Sequence, residues 1–278
     1  MTDGITPVQE IKGLRVKRDD LFCPYDSGGV NGGKLRQCVL LVEKNISKYK
    51  GIVTYCGLGS PQGPIVAAVG KDKGIPAIVV YGGTTRETIF EHQMPRLVAH
   101  YGGKIAIGAR TRRHNVLHKA AKRIADESGY FLVQYGINLE EHEDVLIDAV
   151  AKQVSNVPDC KNLVAVCGSG ITASGILIGL HRYGVNVESV HLVATGPDRR
   201  KLIKSITEKH GAFRHIEYHD VNNNGMLYDK GVNARIGDIR LHPNYEAKAY
   251  LWYKASGLKD EDTVFWITGA KPRLCSKR

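Results

Sequence analysis

The chain lacks several features that would place it in common classes of protein. No run approaches the roughly 18 apolar residues of a membrane-spanning helix, and residues 1–5 show no basic block followed by an apolar one. Repeats, low-complexity tracts and long linkers are absent as well. We therefore expect a cytoplasmic protein without a secretory signal. With 278 residues, of which 42% are hydrophobic, the chain is able to bury a full core.

Cysteine is sparse and scattered. The six cysteines are Cys23, Cys38, Cys56, Cys160, Cys167 and Cys275. They include no close CxxC pair and form no dense framework, which structural zinc sites and disulfide scaffolds require. We expect reduced thiols, most of them buried, and no metal site.

Acidic residues are too few to balance the basic ones. The chain has 39 Lys and Arg against 28 Asp and Glu, a net charge of +11. Such an excess indicates contact with nucleic acid or another polyanion, although a solvated basic surface explains it equally well. Part of the excess is concentrated between residues 110 and 123. The candidate nucleic-acid contacts in this stretch are Arg110, Arg112, Arg113 and Lys119.

Short apolar runs alternate with helical patterns along the chain. The predicted buried strands cover 51–56, 77–81, 104–107, 163–167, 189–194 and 263–267. The predicted helices cover 35–47, 64–73, 90–100, 113–128, 140–155, 173–183 and 199–210. Repeated strand–helix–strand units imply right-handed parallel crossovers, so we predict an α/β fold whose parallel sheets are covered by helices on both faces. Ligands in such sheets bind at the carboxyl ends of the strands.

A first glycine-rich turn, Gly28-Gly29-Val30-Asn31-Gly32-Gly33, ends on Lys34. It nearly matches the phosphate-binding P-loop of nucleotide-binding proteins. However, Leu35 stands where that loop needs Ser or Thr for magnesium, and no apolar strand precedes the turn. The P-loop therefore stays the weaker interpretation.

A second glycine-rich turn follows a predicted strand and opens a predicted helix. Its residues are Gly168, Ser169, Gly170, Ile171 and Thr172. The turn resembles a dinucleotide-binding fingerprint, yet the next strand closes on Thr195 rather than on an acidic ribose ligand. Backbone N–H groups at a helix N-terminus bind phosphate in either case, and a purely structural tight turn is the alternative.

A lysine that can form a Schiff base, combined with a separate phosphate cradle, is what an enzyme dependent on pyridoxal phosphate (PLP) needs. Other segments follow in a fixed order along the chain. They are 16–21, 56–62, 244–249 and the pair Thr268-Gly269. With the two glycine turns, this order resembles the 1-aminocyclopropane-1-carboxylate (ACC) deaminase and D-cysteine desulfhydrase group. That group belongs to the tryptophan synthase β-like PLP enzymes of fold type II, and the resemblance covers most of the chain.

The resemblance implies a two-lobed molecule and assigns the cofactor site. Residues 1–42 and 140–278 would form the larger, PLP-binding lobe, and residues 43–139 a smaller lobe that closes over the substrate. Lys34 would form the Schiff base, residues 168–172 would bind the PLP phosphate, and Glu246 would face the pyridine nitrogen.

The resemblance also implies the residues that contact the substrate. Ser60 and Gln62 would bind the carboxylate of an amino acid. Tyr245 would lie beside the substrate as an acid, a base or a positioning group, so that Lys34, Tyr245 and Ser60 form the catalytic set. Without the resemblance, Ser60 reads as a helix cap and Tyr245 as a core residue at a helix start.

Departures from the family pattern point to a changed substrate. Pro61 stands where relatives usually have an Asn bonded to the PLP ring oxygen, and Gly33 stands where they have an Asn before the lysine. The second tyrosine of the deaminases has no clear counterpart, and the chain is shorter than typical relatives.

We therefore predict a PLP-dependent lyase acting at the α or β carbon of an amino acid, and the resemblance adds a homodimer. The amino-acid group would be attached to a modified DNA base and undergo decarboxylation or elimination. The alternatives are deamination or desulfhydration of a free small amino acid, and a non-catalytic PLP-fold or nucleotide-binding protein. Steeply salt-dependent DNA binding would favour the DNA-linked substrate.

Overall fold

The structure is a computed structural model that describes residues 4–25, 29–137, 140–212, 214–222, 226 and 230–273. Gly28 and Cys275, which the sequence analysis singled out, lie outside these residues. The described helices are α1 (Gly33–Asn45), α2 (Gln62–Asp72), α3 (Gln93–His100), α4 (His114–Ser128), α5 (Glu143–Ala151), α6 (Ile171–Arg182), α7 (Arg200–Lys209) and α8 (Glu246–Ala255).

The strands form three sheets. They are β1 (Val8–Ile11), β2 (Leu14–Arg18), β3 (Ile52–Tyr55), β4 (Ala77–Gly82), β5 (Lys104–Ala109), β6 (Phe131–Val133), β7 (Cys160–Cys167), β8 (Val187–Ala194), β9 (Ile216–Asp220), β10 (Arg235–Ile236), β11 (Ile239–Arg240) and β12 (Thr263–Ile267). The largest sheet has the order β1-β2-β12-β7-β8-β9, the second β5-β4-β3-β6, and β10 and β11 form a short antiparallel ladder. In the two larger sheets every neighbouring pair is parallel except β1 and β2. The predicted α/β fold with parallel sheets is confirmed.

The chain divides into two compact units. Residues 4–22 and 144–271 form the first unit, which contains the six-stranded sheet, and residues 23–143 and 272–273 form the second, which contains the four-stranded sheet. This division groups residues 23–42 with the second unit, whereas the sequence analysis assigned them to the larger lobe. The closing movement of a lobe 43–139 stays a prediction.

Buried apolar residues cover both faces of the six-stranded sheet. On one face, Trp266 of β12 and Leu192 of β8 pack with α6. On the other face, Phe265 and Val193 pack with Tyr253 of α8. Strands buried on both sides read as continuous apolar runs, which is why β7, β8 and β12 were predicted from the sequence.

The segment 16–21 of the family pattern has a structural role in the first unit. Lys17 is fully buried, and its Nζ donates to the carbonyl of Thr6 and to Asn156 Oδ1, both at 2.6 Å. Asp19, also fully buried, accepts hydrogen bonds from the Thr6 hydroxyl at 2.9 Å and from the Trp266 indole at 3.4 Å. These paired polar groups fix the N-terminal segment beside β12.

Among the described residues, no disulfide joins the five cysteines, and no cluster of His, Cys, Asp and Glu is arranged to hold a metal ion. None of the helices described is both long enough and apolar enough to span a bilayer. The cytoplasmic location stays a prediction.

Candidate active site

The second glycine turn lies at the carboxyl end of β7, an inner strand of the six-stranded sheet. β7 ends at Cys167 and α6 begins at Ile171, so three residues make the whole connection. Gly170 has a φ of +94°, a conformation that favours glycine. A Cβ added at Gly168 would meet no atom within 4 Å. The turn therefore points the first N–H groups of a helix at an open space, an arrangement that binds phosphate.

Glu246 lies on the same edge of this sheet. It is the first residue of α8 and is 2% exposed. Its Oε1 accepts a hydrogen bond from the hydroxyl of Thr268, which directly follows β12, the neighbour of β7. Its Oε2 is buried and has no hydrogen-bond partner among the described residues.

The protonation of Glu246 follows from this environment. Burial raises the pKa of Glu246 to about 7 because the charged carboxylate loses its hydration, and hydrogen bonds from Thr268 and the backbone oppose the rise only in part. A buried oxygen without a donor needs an explanation. A ligand that offers an N–H group to Oε2 and a phosphate to the glycine turn supplies one. These residues therefore fit PLP, which has a ring nitrogen and a phosphate.

Tyr245 immediately precedes Glu246 as the N-cap residue of α8. Its side chain is half-buried, packs against the core on the α8 side of the sheet, and has its ring centroid 4.6 Å from that of His242. Tyr245 is thus held beside Glu246 by the helix start, and its role beside the substrate stays a prediction.

Lys34 is the second residue of α1 in the second unit, and its side chain is half-buried. The preceding Gly32, with a φ of +87°, allows the chain to turn into the helix. Burial raises the pKa of the Cys56 thiol to about 12, and a hydrogen bond with Ser60 and the charge of Lys34 oppose this rise. Lys34 and Ser60 therefore lie around the same thiol, just beyond the carboxyl end of β3.

Gln62 begins α2, and its side chain is 1% exposed. Its Nε2 donates to Thr54 Oγ1 at 2.7 Å and to the Gln134 carbonyl at 2.9 Å, and its Oε1 accepts from the Gly136 N–H at 2.8 Å. The side-chain amide is thus committed to joining β3 to the loop after β6. The Gln62 N–H lies 3.3 Å from Ser60 Oγ, so the hydroxyl sits at the start of the helix.

The basic stretch lies between β5 and the middle of α4, on the surface. Its candidate nucleic-acid contacts, Arg110, Arg112, Arg113 and Lys119, are all exposed. Within the part of the chain that the structure describes, no ion pair involves any of these four. Further along α4, by contrast, Lys122 pairs with Asp126 at 2.9 Å and Arg123 with Glu127 at 3.9 Å. The positive charge of these four residues, before and early in α4, is therefore available to an external anion.

Sequence reasoning missed a group of aromatic rings in the second unit. The rings of His114 and Tyr135 have centroids 4.1 Å apart, and Tyr55 contacts Tyr135 at 6.5 Å and His118 at 5.4 Å. These residues come from β3, the loop after β6 and α4, and no spacing in the sequence links the three. Thr268 was noted as part of the family order, but its hydrogen bond to Glu246 needed the fold.

Comparison with known proteins bears on the fold and the cofactor, whereas the roles of the single site residues stay predictions. No family model matches the chain. The O-seryl-dTMP PLP-dependent decarboxylase of Salmonella phage ViI is 28% identical, over 93% of this chain and 78% of that protein.

Solved structures share the fold at lower sequence identity. An ACC deaminase homologue has a TM-score of 0.78 at 20% identity and covers 97% of this chain and 90% of its own. Maize serine racemase has a TM-score of 0.63 at 17% identity, with 98% and 89% covered. The resemblance inferred from the motifs is confirmed: the chain has the architecture of the PLP-dependent enzymes of fold type II.

Proposed function

We propose that the chain is a PLP-dependent enzyme that removes the α-carboxylate of an amino-acid group attached to a nucleotide. The observation that carries the proposal is the relative from Salmonella phage ViI, whose named substrate is a seryl group on dTMP and which aligns with 93% of this chain. The altered serine turn, with Pro61 after Ser60, and the exposed arginines that precede α4 support a substrate other than a free amino acid.

Three parts of the chain would hold PLP. Lys34 would attach it covalently, the turn 168–172 would bind its phosphate, and Oε2 of Glu246 would accept the N–H of its ring. When bound, PLP draws electrons from the substrate Cα, so that a bond to Cα breaks and leaves its electron pair behind. A carboxylate at the ring nitrogen keeps that ring protonated, and Thr268 holds Glu246 in place through the other oxygen.

The start of α2 would bind the substrate carboxylate. The Ser60 hydroxyl and the first N–H groups of α2 are donors of the kind that bind anions at a helix N-terminus. Since the Gln62 amide is occupied by Thr54, Gln134 and Gly136, Gln62 would contribute its backbone N–H rather than its side chain. Pro61 adds no side-chain donor.

The reaction breaks the bond between Cα and the carboxylate and adds one proton to Cα. The carboxylate leaves as CO2, its bonding electrons stay on Cα, and a proton is added there. The Nζ of Lys34 and the hydroxyl of Tyr245 are the proposed donors. A seryl group linked through its oxygen would become an aminoethyl ether.

Contact with DNA belongs to the same proposal. The exposed arginines that precede α4 would bind backbone phosphates, and His114, which follows Arg113 in the chain, has its ring centroid 4.1 Å from that of Tyr135. A homodimer in the cytoplasm remains part of the proposal by resemblance to the family.

The proposal is tested by supplying the PLP-loaded protein with O-seryl-dTMP, as free nucleotide and within DNA, and with free serine and free D-cysteine. Release of CO2, ammonia and sulfide is measured. CO2 from the nucleotide-linked substrates and none from serine is the expected result, with Lys34→Ala as the inactive control. Ammonia or sulfide released from free serine or D-cysteine would instead support the deaminase or desulfhydrase alternative. A wild-type protein that releases none of these products would contradict enzymatic function.

A further inference from the structure

A buried hydroxyl lies at the end of β8, the strand that flanks β7 on the side opposite β12. The register pairs Val166 of β7 with Val193 of β8, and the N–H of Thr195 donates to the Cys167 carbonyl at 3.2 Å. If the same register continues past the strand ends, Thr195 lies opposite Gly168. Because side chains alternate along a strand, Thr195 faces the same side as Val193, the side on which α8 packs.

The hydroxyl of Thr195 is buried without a partner in the part of the chain that the structure describes. Thr195 is 0% exposed, and its Oγ1 has no hydrogen-bond partner among the described residues. By the register it lies next to Gly168, where an added Cβ would meet no atom within 4 Å. A buried hydroxyl is normally satisfied, so this one is expected to serve a ligand.

A cation lies on the adjacent side of the same turn. The Cβ of Arg199 is 3.4 Å from the position that a Cβ on Gly170 would take, and the Arg199 N–H donates to the Tyr218 hydroxyl at 3.0 Å. Nε of Arg199 is buried and likewise has no partner among the described residues. Burial raises the pKa of the Cys167 thiol, and the Arg199 charge opposes the rise, so the guanidinium acts on the end of β7.

The neighbouring arginine behaves differently. Arg200 is exposed and pairs with Asp198 at 2.7 Å, with a second contact to the same carboxylate at 3.0 Å. Two adjacent arginines at the start of α7 therefore differ in one respect: the charge of Arg200 is balanced within the protein, whereas Arg199 keeps a buried donor unused.

We propose that Thr195 and Arg199 complete a phosphate-binding site with the turn 168–172. Backbone N–H groups alone offer a phosphate only partial positive charge, whereas a guanidinium adds a full charge and a charge-assisted hydrogen bond. The ligand is a phosphate group, either the monoester of PLP or a phosphate of the nucleotide that carries the substrate. That these two phosphates are the candidates rests on the proposed function.

Matched variants of the two arginines test the proposal. Affinities of wild type, Arg199→Met and Arg200→Met are measured for PLP against pyridoxal, and for dTMP against thymidine. If the site holds the PLP phosphate, Arg199→Met weakens PLP binding about tenfold or more and leaves pyridoxal binding unchanged. If it holds the nucleotide phosphate, the same loss appears for dTMP and not for thymidine or PLP. Arg200→Met changes none of the four affinities.

Thr195→Val distinguishes a hydroxyl that binds phosphate from one that only stabilises the fold. Valine keeps the shape and removes the unsatisfied group, so the unliganded variant is expected to be at least as stable as wild type while its phosphate affinity falls several-fold. Lower stability with unchanged affinity would overturn the role of Thr195.

Failure of the function and failure of the site are separable. The proposal is overturned if Arg199→Met changes no affinity, or if it weakens PLP and pyridoxal equally. If wild type binds neither PLP nor dTMP, the proposed function fails, and inorganic phosphate alone becomes the probe. Phosphate that raises the melting temperature of wild type and Arg200→Met, but not of Arg199→Met, then still supports the site; no rise in wild type overturns it.

Discussion

At the scale of single residues, Glu246 links the stability of the protein to pH. Its pKa is raised to about 7, from an ordinary value of 4.5 in the unfolded chain. Between these values the unfolded chain is ionised while the folded protein keeps the proton. The free energy of unfolding therefore falls as pH rises from 4.5, and the decrease is complete above about pH 7. At 1.36 kcal/mol per pKa unit, the total decrease is about 3 kcal/mol.

Glu246→Gln is expected to remove this dependence. Urea unfolding of the PLP-free protein at about pH 5 and about pH 8 measures it, and exposed Glu127→Gln is the control that keeps the wild-type difference. A pH difference in Glu246→Gln as large as that of wild type would show that another group is responsible.

Gln62 is the second residue whose environment makes a prediction. Its amide joins Thr54 to the loop at Gln134 and Gly136, so Gln62→Ala is expected to lower the free energy of unfolding by about 2–4 kcal/mol, because it leaves several buried partners unsatisfied. Ser60→Ala should lower it by less than about 1 kcal/mol, since Ser60 is half-buried. Denaturant titration measures the free energy of unfolding of both variants. Equal values for Gln62→Ala and Ser60→Ala would refute the structural role of the amide.

Residue roles were only partly predictable from the sequence. Glu246 and the glycine turn were assigned to the cofactor through the order of motifs, and these roles stay predictions. The commitment of the Gln62 amide was not, because its partners lie 8, 72 and 74 positions away in the chain and meet only in the fold. Its role in substrate binding stays a prediction.

At the scale of elements, the connection between β7 and α6 contains two glycines with different requirements. Gly170 has a φ of +94°, so Gly170→Ala is expected to destabilise the protein by about 1–2 kcal/mol. Gly168 is in open space, so Gly168→Ala should change stability by less than about 0.5 kcal/mol, yet its methyl group would enter the phosphate cradle. Unfolding and PLP titration of both variants test this. Unchanged PLP affinity in Gly168→Ala would contradict the assignment of the turn.

Unpaired arginines just before α4 can be compared with ion-paired cations within the helix. The double variant Arg112→Gln/Arg113→Gln is expected to weaken DNA binding and to reduce the slope of log affinity against log salt by about 2, because two phosphate contacts are lost. Lys122→Gln/Arg123→Gln, whose cations are paired with Asp126 and Glu127, should change the slope little. Fluorescence anisotropy over a salt series measures both, and equal slopes for the two variants would refute a specific role for the arginines.

The short apolar strand β6 and several elements rich in polar residues were not predicted from the sequence. β9 is a half-buried edge strand with the sequence Ile-Glu-Tyr-His-Asp and contains no apolar run. β2 includes the fully buried Lys17, and α8 buries Glu246 and Lys248, so that none of the three shows a clean hydrophobic pattern. Buried polar groups at structural and functional positions override the pattern from which elements are predicted.

At the scale of the whole molecule, the alternation of apolar strands and helices was sufficient to predict parallel sheets. The lobe boundaries came from the resemblance instead: it assigned residues 23–42 to the larger lobe, whereas the observed division groups them with the unit that contains β3 to β6, in which α1 contacts α2. The family order, not the pattern, identified the cofactor, and the buried Oε2 of Glu246 with the open space at Gly168 agrees with it.

The central claim is that this chain binds PLP through Lys34, and covalent labelling tests it most directly. The PLP-loaded protein is reduced with borohydride and digested, and the modified peptide is identified by mass spectrometry. The account predicts a pyridoxyl group on Lys34, and none in a folded Lys34→Ala variant. A label on another lysine, such as the buried Lys17 or Lys248, or no label in the wild type, would contradict it.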